Sequence, residues 1–365
     1  MKPALQIESL KLTQFKNYDA QKFSFCAGIN CFTGSNGVGK TNILDAIYFL
    51  CLTKNHRNLP DKQLIRHGAD FFRVEGQFHA EGQSRKVVIK MAADKRKELE
   101  VDGTPIARFA DHIGQFPIVM IAPDDVALVQ EGSEERRRYL DGTLSQVSAP
   151  YLEQWQLYSA LLKQRNALLK SFGEQRYFDP VYLEAIDRQM VAPALVLHEA
   201  RARMTGHIGP LFASLYSAIS GNKETAALQY SPSWHESGDF YTFLGETQGK
   251  DRAVERTSAG PHRDDITFLL DGMPVKKFAS QGQMKSFLLA LRLAQFEYLR
   301  QETGATPILL LDDIFDKLDA VRVQQLVTLL IERQVGQVFM TDTHRSRMES
   351  AVAAVAPVFQ IIDIT

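Results

Sequence analysis

The chain has 365 residues, 45% of them apolar and 23% charged, with a formal net charge of −1 and an isoelectric point near 6.8. That composition marks a globular chain long enough for two or three lobes, and any contact with nucleic acid has to concentrate positive charge locally. Cys26, Cys31 and Cys51 cluster without C-x-x-C spacing, so neither a disulfide framework nor a zinc site is indicated, which suits a reducing cytosol.

From the N-terminus, MKPALQIESLKLTQF alternates like a strand and lacks the apolar core of a signal peptide. INCFT (Ile29 to Thr33) is a short apolar strand, followed by GSNGVGKT (Gly34 to Thr41) and a helix with apolar residues at Ile43, Leu44, Ile47 and Leu50. Further strands and a hairpin turn at Asp102-Gly103 lead to about Met120. The pattern then becomes helical through ERRRYLDGTLSQV, YLEQWQLYSALLKQRNALLKSF and the run from Pro180 to about Ser220. Strand character returns in DDITFLLDGMPVKKF, with a second hairpin turn at Asp271-Gly272, and helix and strand alternate to the end. Every apolar run is far shorter than a membrane span, so the expectation is a cytoplasmic protein without a membrane partner.

Gly34, Gly39, Lys40 and Thr41 occupy all fixed positions of G-x-x-x-x-G-K-[ST], in the strand, loop, helix order that this phosphate-binding loop requires. The backbone of Gly34, Ser35, Asn36, Gly37, Val38 and Gly39 is expected to cradle phosphates of ATP. Lys40 is placed to bridge the β- and γ-phosphates, and Thr41 to ligate Mg²⁺. Far downstream, ILLL (Ile308 to Leu311) reads as a buried parallel strand ending in Asp312 and Asp313. Adjacent strand positions face opposite sides, so Asp312 is assigned to Mg²⁺ and Asp313 to polarising the attacking water. Two halves of one nucleotide site therefore flank a large insertion. Between them, SQGQ (Ser280 to Gln283) opens a helix with Ser280 as its N-cap.

SQGQ, one helix ahead of the Asp312 strand, resembles the signature segment of ABC-class ATPases, whose serine and glycine touch a γ-phosphate held by a second subunit. DKLD (Asp316 to Asp319) resembles the D-loop of that class. From end to end the chain resembles the RecF family, through FKNYDAQKFSF (Phe15 to Phe25), GSNGVGKTNILDAIYFL, PDDVALVQEG with ERRRYLDGTL, QRNALLK (Gln164 to Lys170) and TSAGPHRDDITFLLDG (Thr257 to Gly272). The resemblance implies an α/β fold, an ABC-type P-loop ATPase head with a mixed sheet, interrupted by a mainly helical lobe and without coiled-coil arms. The boundaries expected are 1–121 for the first head part, 122–254 for the lobe and 255–365 for the second head part with the signature, Walker B strand and D-loop. It also implies an ATP- and Mg²⁺-dependent homodimer that binds duplex, junction or gapped DNA. Such a dimer assists RecA loading with RecO- and RecR-type mediators in repair, replication and the SOS response. By that resemblance Lys40, Asp313 and Ser280 are catalytic, Ser280, Gly282 and Gln283 meet nucleotide across the dimer, and Thr41 and Asp312 hold the metal. An aspartate at 313, where many ABC sites have glutamate, implies slow hydrolysis.

Several positions stay open. Asp342 stands where the ABC switch histidine is expected, with His344 two residues later, and Pro123-Asp124-Asp125 takes the place of the Q-loop glutamine. Lys54, His56 and Arg57, then Lys95, Arg96 and Lys97, then Arg136, Arg137 and Arg138 are either DNA-phosphate contacts or solvated faces. Lys16 and Arg57 are also candidates for the α-phosphate or base. GPHRDD is either a corner in which Arg263 pairs with Asp264 or Asp265, or a part of the dimer interface. The rival functions are the ATP-binding subunit of a membrane transporter and a short chromosome-maintenance-type head.

Overall fold

The computed structural model describes residues 5–80, 82–234, 239–313, 320–353 and 356–365, and they divide into two compact units. One comprises Met1–Asp125 with Gln295–Thr365 and the other Val126–Ala294.

In the first unit, β1 (Gln6–Phe15), β2 (Tyr18–Ser24), β3 (Ile29–Thr33) and α1 (Lys40–Leu52) come first. Next are β4 (Phe71–Ala80), β5 (Gln83–Ala92), β6 (Glu98–Val101), β7 (Thr104–Pro105) and β8 (Ile118–Ile121). An antiparallel sheet runs in the order β2-β1-β4-β5-β6-β7, and its inner strands β1 and β4 alternate buried apolar residues with more exposed polar ones. Asp102 and Gly103 both have positive φ, as a two-residue hairpin turn demands.

The second unit holds α2 (Ala127–Gln130), α3 (Ser133–Val147), α4 (Ala149–Gln175), α5 (Pro180–Ser220), β9 (Ala226–Ser231), α6 (Phe240–Ala253), β10 (Asp265–Leu270), β11 (Met273–Pro274) and α7 (Val275–Phe278). The helix α8 (Gln281–Thr303) begins there and ends in the first unit. Back in the first unit lie β12 (Ile308–Leu311), α9 (Ala320–Glu332), β13 (Val338–Asp342), α10 (Arg345–Ala353) and β14 (Phe359–Asp363). With β3 and β8 they make a wholly parallel sheet in the order β14-β3-β13-β12-β8. Its central strands β3, β12 and β13 are buried along their whole length, which explains why they read as unbroken apolar runs.

One apolar core fills the first unit, joining Leu10, Phe15 and Phe72 of the antiparallel sheet to Ile43, Ile47 and Leu50 of α1 and Ile308 and Phe339 of the parallel sheet. Buried Gln337 ties the two sheets together. Its amide accepts from Ile7 N at 2.8 Å and donates to the carbonyls of Ile7 and Cys26 at 2.9 and 2.8 Å.

The helical unit continues past the expected boundary at 254, as far as Ala294. The reason is strand pairing: β10, expected in the head, pairs antiparallel with β9 in a three-stranded sheet, so residues after 254 add to the second unit. Two buried arginines hold this unit together. Arg165 on α4 bonds Asp187 on α5 at 2.6 Å, Asp251 on α6 at 2.6 Å and Thr257 at 3.0 Å. Arg201 on α5 bonds Asp141 on α3 at 2.8 Å, Asp264 at 3.0 Å and the Pro261 carbonyl at 2.6 Å.

Candidate nucleotide-binding site

The parallel strands deliver their carboxyl ends to one edge, the usual place for a ligand in an open α/β sheet. Thr33 at the end of β3 is in register with Asp342 and Asp363, and Leu311 with Ile121 and Met340. Gly34 to Thr41, Asp312, Asp313 and the residues after Asp342 are thereby collected from three distant parts of the sequence.

The loop from Gly34 enters α1 at Lys40, with Gly34, Gly37 and Gly39 all at positive φ. A Cβ on Gly34 would run into the Ile364 carbonyl, and one on Gly39 would lie 2.7 Å from the Asn17 Oδ1. Lys40 is buried, and its ammonium donates to the carbonyls of Gly34 and Ser35 at 2.6 and 2.9 Å. The loop is therefore curled around its own cation, with the α1 N-terminus beside it. That combination attracts an anion, since backbone N–H groups, the helix dipole and the lysine act together.

Thr41 Oγ1 donates to Asp312 Oδ1 at 2.9 Å, and Thr341 Oγ1 donates to the same oxygen at 2.8 Å. Burial pushes the Asp312 carboxyl above its ordinary range, only partly offset by the two threonine hydroxyls. A hydroxyl and a carboxylate side by side suit a hard cation that takes few protein ligands and completes its shell with phosphate and water, as Mg²⁺ does. Among the described residues no cluster of three or more His, Cys, Asp or Glu offers a fuller cage. β12 ends at Leu311, so Asp313 diverges from Asp312 through its left-handed backbone, φ 50°, rather than through the strand pleat. Its N–H donates to Thr341 Oγ1 at 2.8 Å.

Asn17 and Tyr18 at the β1–β2 connection grip this loop while the neighbouring Lys16 holds the helix that follows it, a feature that sequence reasoning missed. Lys16 pairs with buried Asp45 of α1. Asn17 Nδ2 donates to the Val38 carbonyl at 2.8 Å while its Oδ1 accepts from Asn42 at 2.7 Å. Tyr18 donates to the Gly39 carbonyl at 3.1 Å, and burial raises its pKa to about 12. Only the quoted FKNYDAQKFSF block carried a trace of this contact.

Asp342 is buried and accepts from Arg347 Nε at 2.9 Å and Nη2 at 2.7 Å and from His344 N at 2.6 Å. It is thus committed to the start of α10, while the His344 side chain is exposed at the sheet edge. Arg57 pairs with Asp124 at 2.8 Å. Asp316 to Asp319 lie outside the described residues.

Ser280, Gly282 and Gln283 belong to the second unit. There Gln283 N donates to Ser280 Oγ at 3.2 Å and Ser280 N donates to Gln283 Oε1 at 2.6 Å, a reciprocal capping box at the head of α8. GPHRDD in the same unit is a corner, with pairings other than those expected. Asp264 bonds Arg201 and Tyr230, Asp265 takes a bidentate bond from Arg136 at 2.6 and 3.0 Å, and Arg263 is exposed. His262 lies between the Tyr158 hydroxyl at 2.8 Å and the Thr257 carbonyl at 3.1 Å, and burial lowers its pKa to about 4. The basic triplets are also largely engaged within the protein. Arg138 pairs with Glu134 and Glu135, Arg137 bonds the Asp264 carbonyl at 2.8 Å, and Lys97 pairs with Asp61 at 2.8 Å. Lys95 and Arg96 are exposed.

A family model described as the RecF/RecN/SMC N terminal domain matches residues 6–363. The DNA replication and repair protein RecF of Flavobacterium johnsoniae is 40% identical over 360 residues, covering 99% of this chain and 100% of that protein. RecF of Cytophaga hutchinsonii is 38% identical over 343 residues, 94% of this chain and 90% of that one. A solved structure of the recombination mediator protein RecF with ATPrS, described as part of the RecFOR pathway, superposes with a TM-score of 0.88 at 26% identity, covering 99% and 97% of the two chains. An Smc head bound to the C-winged helix domain of ScpA superposes at 0.59 with 18% identity, covering 99% and 94%, a likeness of fold alone. Matched along nearly its whole length by a family model and by RecF proteins of its own size, the chain belongs to the RecF family.

Proposed function

We propose that this protein is an ATP-gated DNA-binding protein of replication and recombinational repair, a slow ATPase that dimerises on ATP. In this reading it binds duplex or gapped DNA in the cytoplasm and, with RecO- and RecR-type mediators, assists RecA loading at single-strand gaps during the SOS response. The observation that carries the reading is the bond from Thr41 Oγ1 to Asp312 Oδ1 at 2.9 Å, which joins a complete phosphate-binding loop to an acidic strand end 271 residues away. The RecF relatives are named for DNA replication and repair, and one was solved with ATP.

In the mechanism, Lys40 exchanges the Gly34 and Ser35 carbonyls for β- and γ-phosphate oxygens, a swap of neutral acceptors for charged ones. Thr41 and Asp312 would hold Mg²⁺, which supplies neutralisation of the triphosphate charge when bound. Asp313 orients the attacking water, and its short side chain holds water less closely than glutamate would, which keeps turnover slow. Ser280 with Gly282 and Gln283 completes the site of a partner protomer, so nucleotide closes the dimer around DNA. The transporter reading has no comparable support, because the matched relatives are RecF proteins along their full length.

Equilibrium binding to gapped duplex with and without ATP and Mg²⁺ tests the proposal. Affinity should depend on nucleotide, fall steeply with salt through counterion release, and lose its ATP dependence in Lys40→Ala. Equal affinity without nucleotide, or normal ATP binding by Lys40→Ala, overturns it.

A further inference from the structure

Gln283, the last residue of SQGQ, is held from two directions. Its Oε1 accepts from Ser280 N at 2.6 Å, and its Nε2 donates to Glu224 Oε1 at 2.5 Å. Glu224 Oε2 accepts in turn from the Tyr216 hydroxyl at 2.5 Å. Tyr216 is fully buried near the end of α5, while Glu224 sits in the loop before β9, far from SQGQ in sequence.

The chemistry of these groups fixes their orientation. An ionised carboxylate only accepts, so Glu224 faces the amide nitrogen of Gln283, which leaves the amide oxygen as the acceptor for Ser280 N. Closing that half of the capping box sets the other half, in which Ser280 Oγ accepts from Gln283 N at 3.2 Å. A serine oxygen already accepting from its own helix directs its hydrogen away from that helix, and Ser280 is exposed. Phosphate oxygens are acceptors, so this is the state in which Ser280 can donate to one.

We propose that Glu224 is a positioning residue for the signature segment: by fixing the Gln283 amide it closes the capping box and holds the Ser280 hydroxyl as an outward donor to the partner-bound γ-phosphate. The inference rests on the composite-site reading above and adds to it a residue that no signature pattern contains.

The test compares Glu224→Ala, Glu224→Gln, Ser280→Ala and the Glu224→Ala/Ser280→Ala pair in the full-length protein. Fluorescent ATP binding, ATP-dependent dimerisation and turnover at saturating ATP are the readouts. Glu224→Ala should leave ATP affinity within about twofold and lower saturated turnover and dimer formation about ten- to a hundredfold, the range for losing a charged hydrogen bond. Glu224→Gln keeps a side-chain oxygen for Gln283 Nε2 and should recover most of the loss, and Glu224→Ala should add little in the Ser280→Ala background. If Ser280→Ala impairs dimerisation while Glu224→Ala does not, or if the Glu224→Ala loss is undiminished in that background, Glu224 only ties down its own loop and the inference fails. If Ser280→Ala is itself without effect, the composite-site reading falls and takes this inference with it.

Discussion

At Gly39 the backbone φ is 111°, and the space a side chain would need is filled by the Asn17 amide. Gly39→Ala therefore meets two separate penalties, one local to the backbone and one from packing. Strain of this kind costs roughly 1–3 kcal/mol, and the loop can escape it only by moving the amides that would face phosphate. Calorimetry should show ATP affinity falling at least about tenfold, with the thermal midpoint changed by only a few degrees. Removing Asn17 as well should restore little, because φ remains unfavourable to alanine. Recovery to wild-type affinity in that double variant would mean that the Asn17 contact alone excluded the side chain. Asp342 teaches a different lesson at the same scale: its position in the sequence suggested a switch residue, whereas its carboxylate is consumed by Arg347 and the His344 N–H.

Among the elements, the helical unit sets buried ion pairs into an apolar seam that runs along α5 from Leu183 through Leu197 and Ile208 to Leu215. Arg165 is completely buried, and its pairing with Asp187 and Asp251 outweighs the burial that opposes its charge, so its pKa is raised. Arg165→Ala removes the guanidinium that bridges α4, α5 and α6 and leaves two buried carboxylates facing each other. The expected loss is about 3–5 kcal/mol in chemical denaturation, and Arg165→Lys should recover little, since one ammonium cannot span both acids with the same geometry. A change below about 1 kcal/mol would show that the cluster relaxes or hydrates. His262 adds a pH dependence of known sign. Its folded-state pKa is depressed to about 4 from 6.5, so the unfolded chain binds the proton more readily. The stability contributed by neutral His262 is complete above about pH 6.5 and is lost as the pH falls toward 4, on the order of 3 kcal/mol in all. Urea melts across that interval should be flatter for His262→Gln than for the wild type. Equal slopes would place the titration elsewhere.

For the whole molecule, the proposed site is shared between protomers, and that makes activity a function of concentration. Specific ATPase activity should rise with protein concentration while dimers are scarce and then level off. Ser280→Arg places a bulky cation on an exposed helix start and leaves the phosphate-binding loop of its own chain unchanged. That variant should bind ATP nearly normally yet fail to sediment as a dimer with ATP and Mg²⁺. Wild-type turnover independent of concentration, or a Ser280→Arg dimer, would reduce Ser280 to a helix cap. No helix among the described residues is long and apolar enough to cross a membrane.

Local chemistry carried much of this protein in its sequence alone. The glycines and Lys40 specify a loop, the unbroken apolar run before Asp312 specifies a buried parallel strand, and Asp102-Gly103 and Asp271-Gly272 specify turns, because each depends on neighbours in the chain. Ser280 was legible as a cap for the same reason. What the sequence left open depended on residues brought together from far apart. The partners of Asp264 and Arg136 within the protein, and the end of the helical unit, were set by helix packing and by the pairing of β10 with β9. The grip of Asn17 on the phosphate loop and of Glu224 on Gln283 left no local pattern either, since a hydrogen bond between distant side chains imposes no spacing on the sequence.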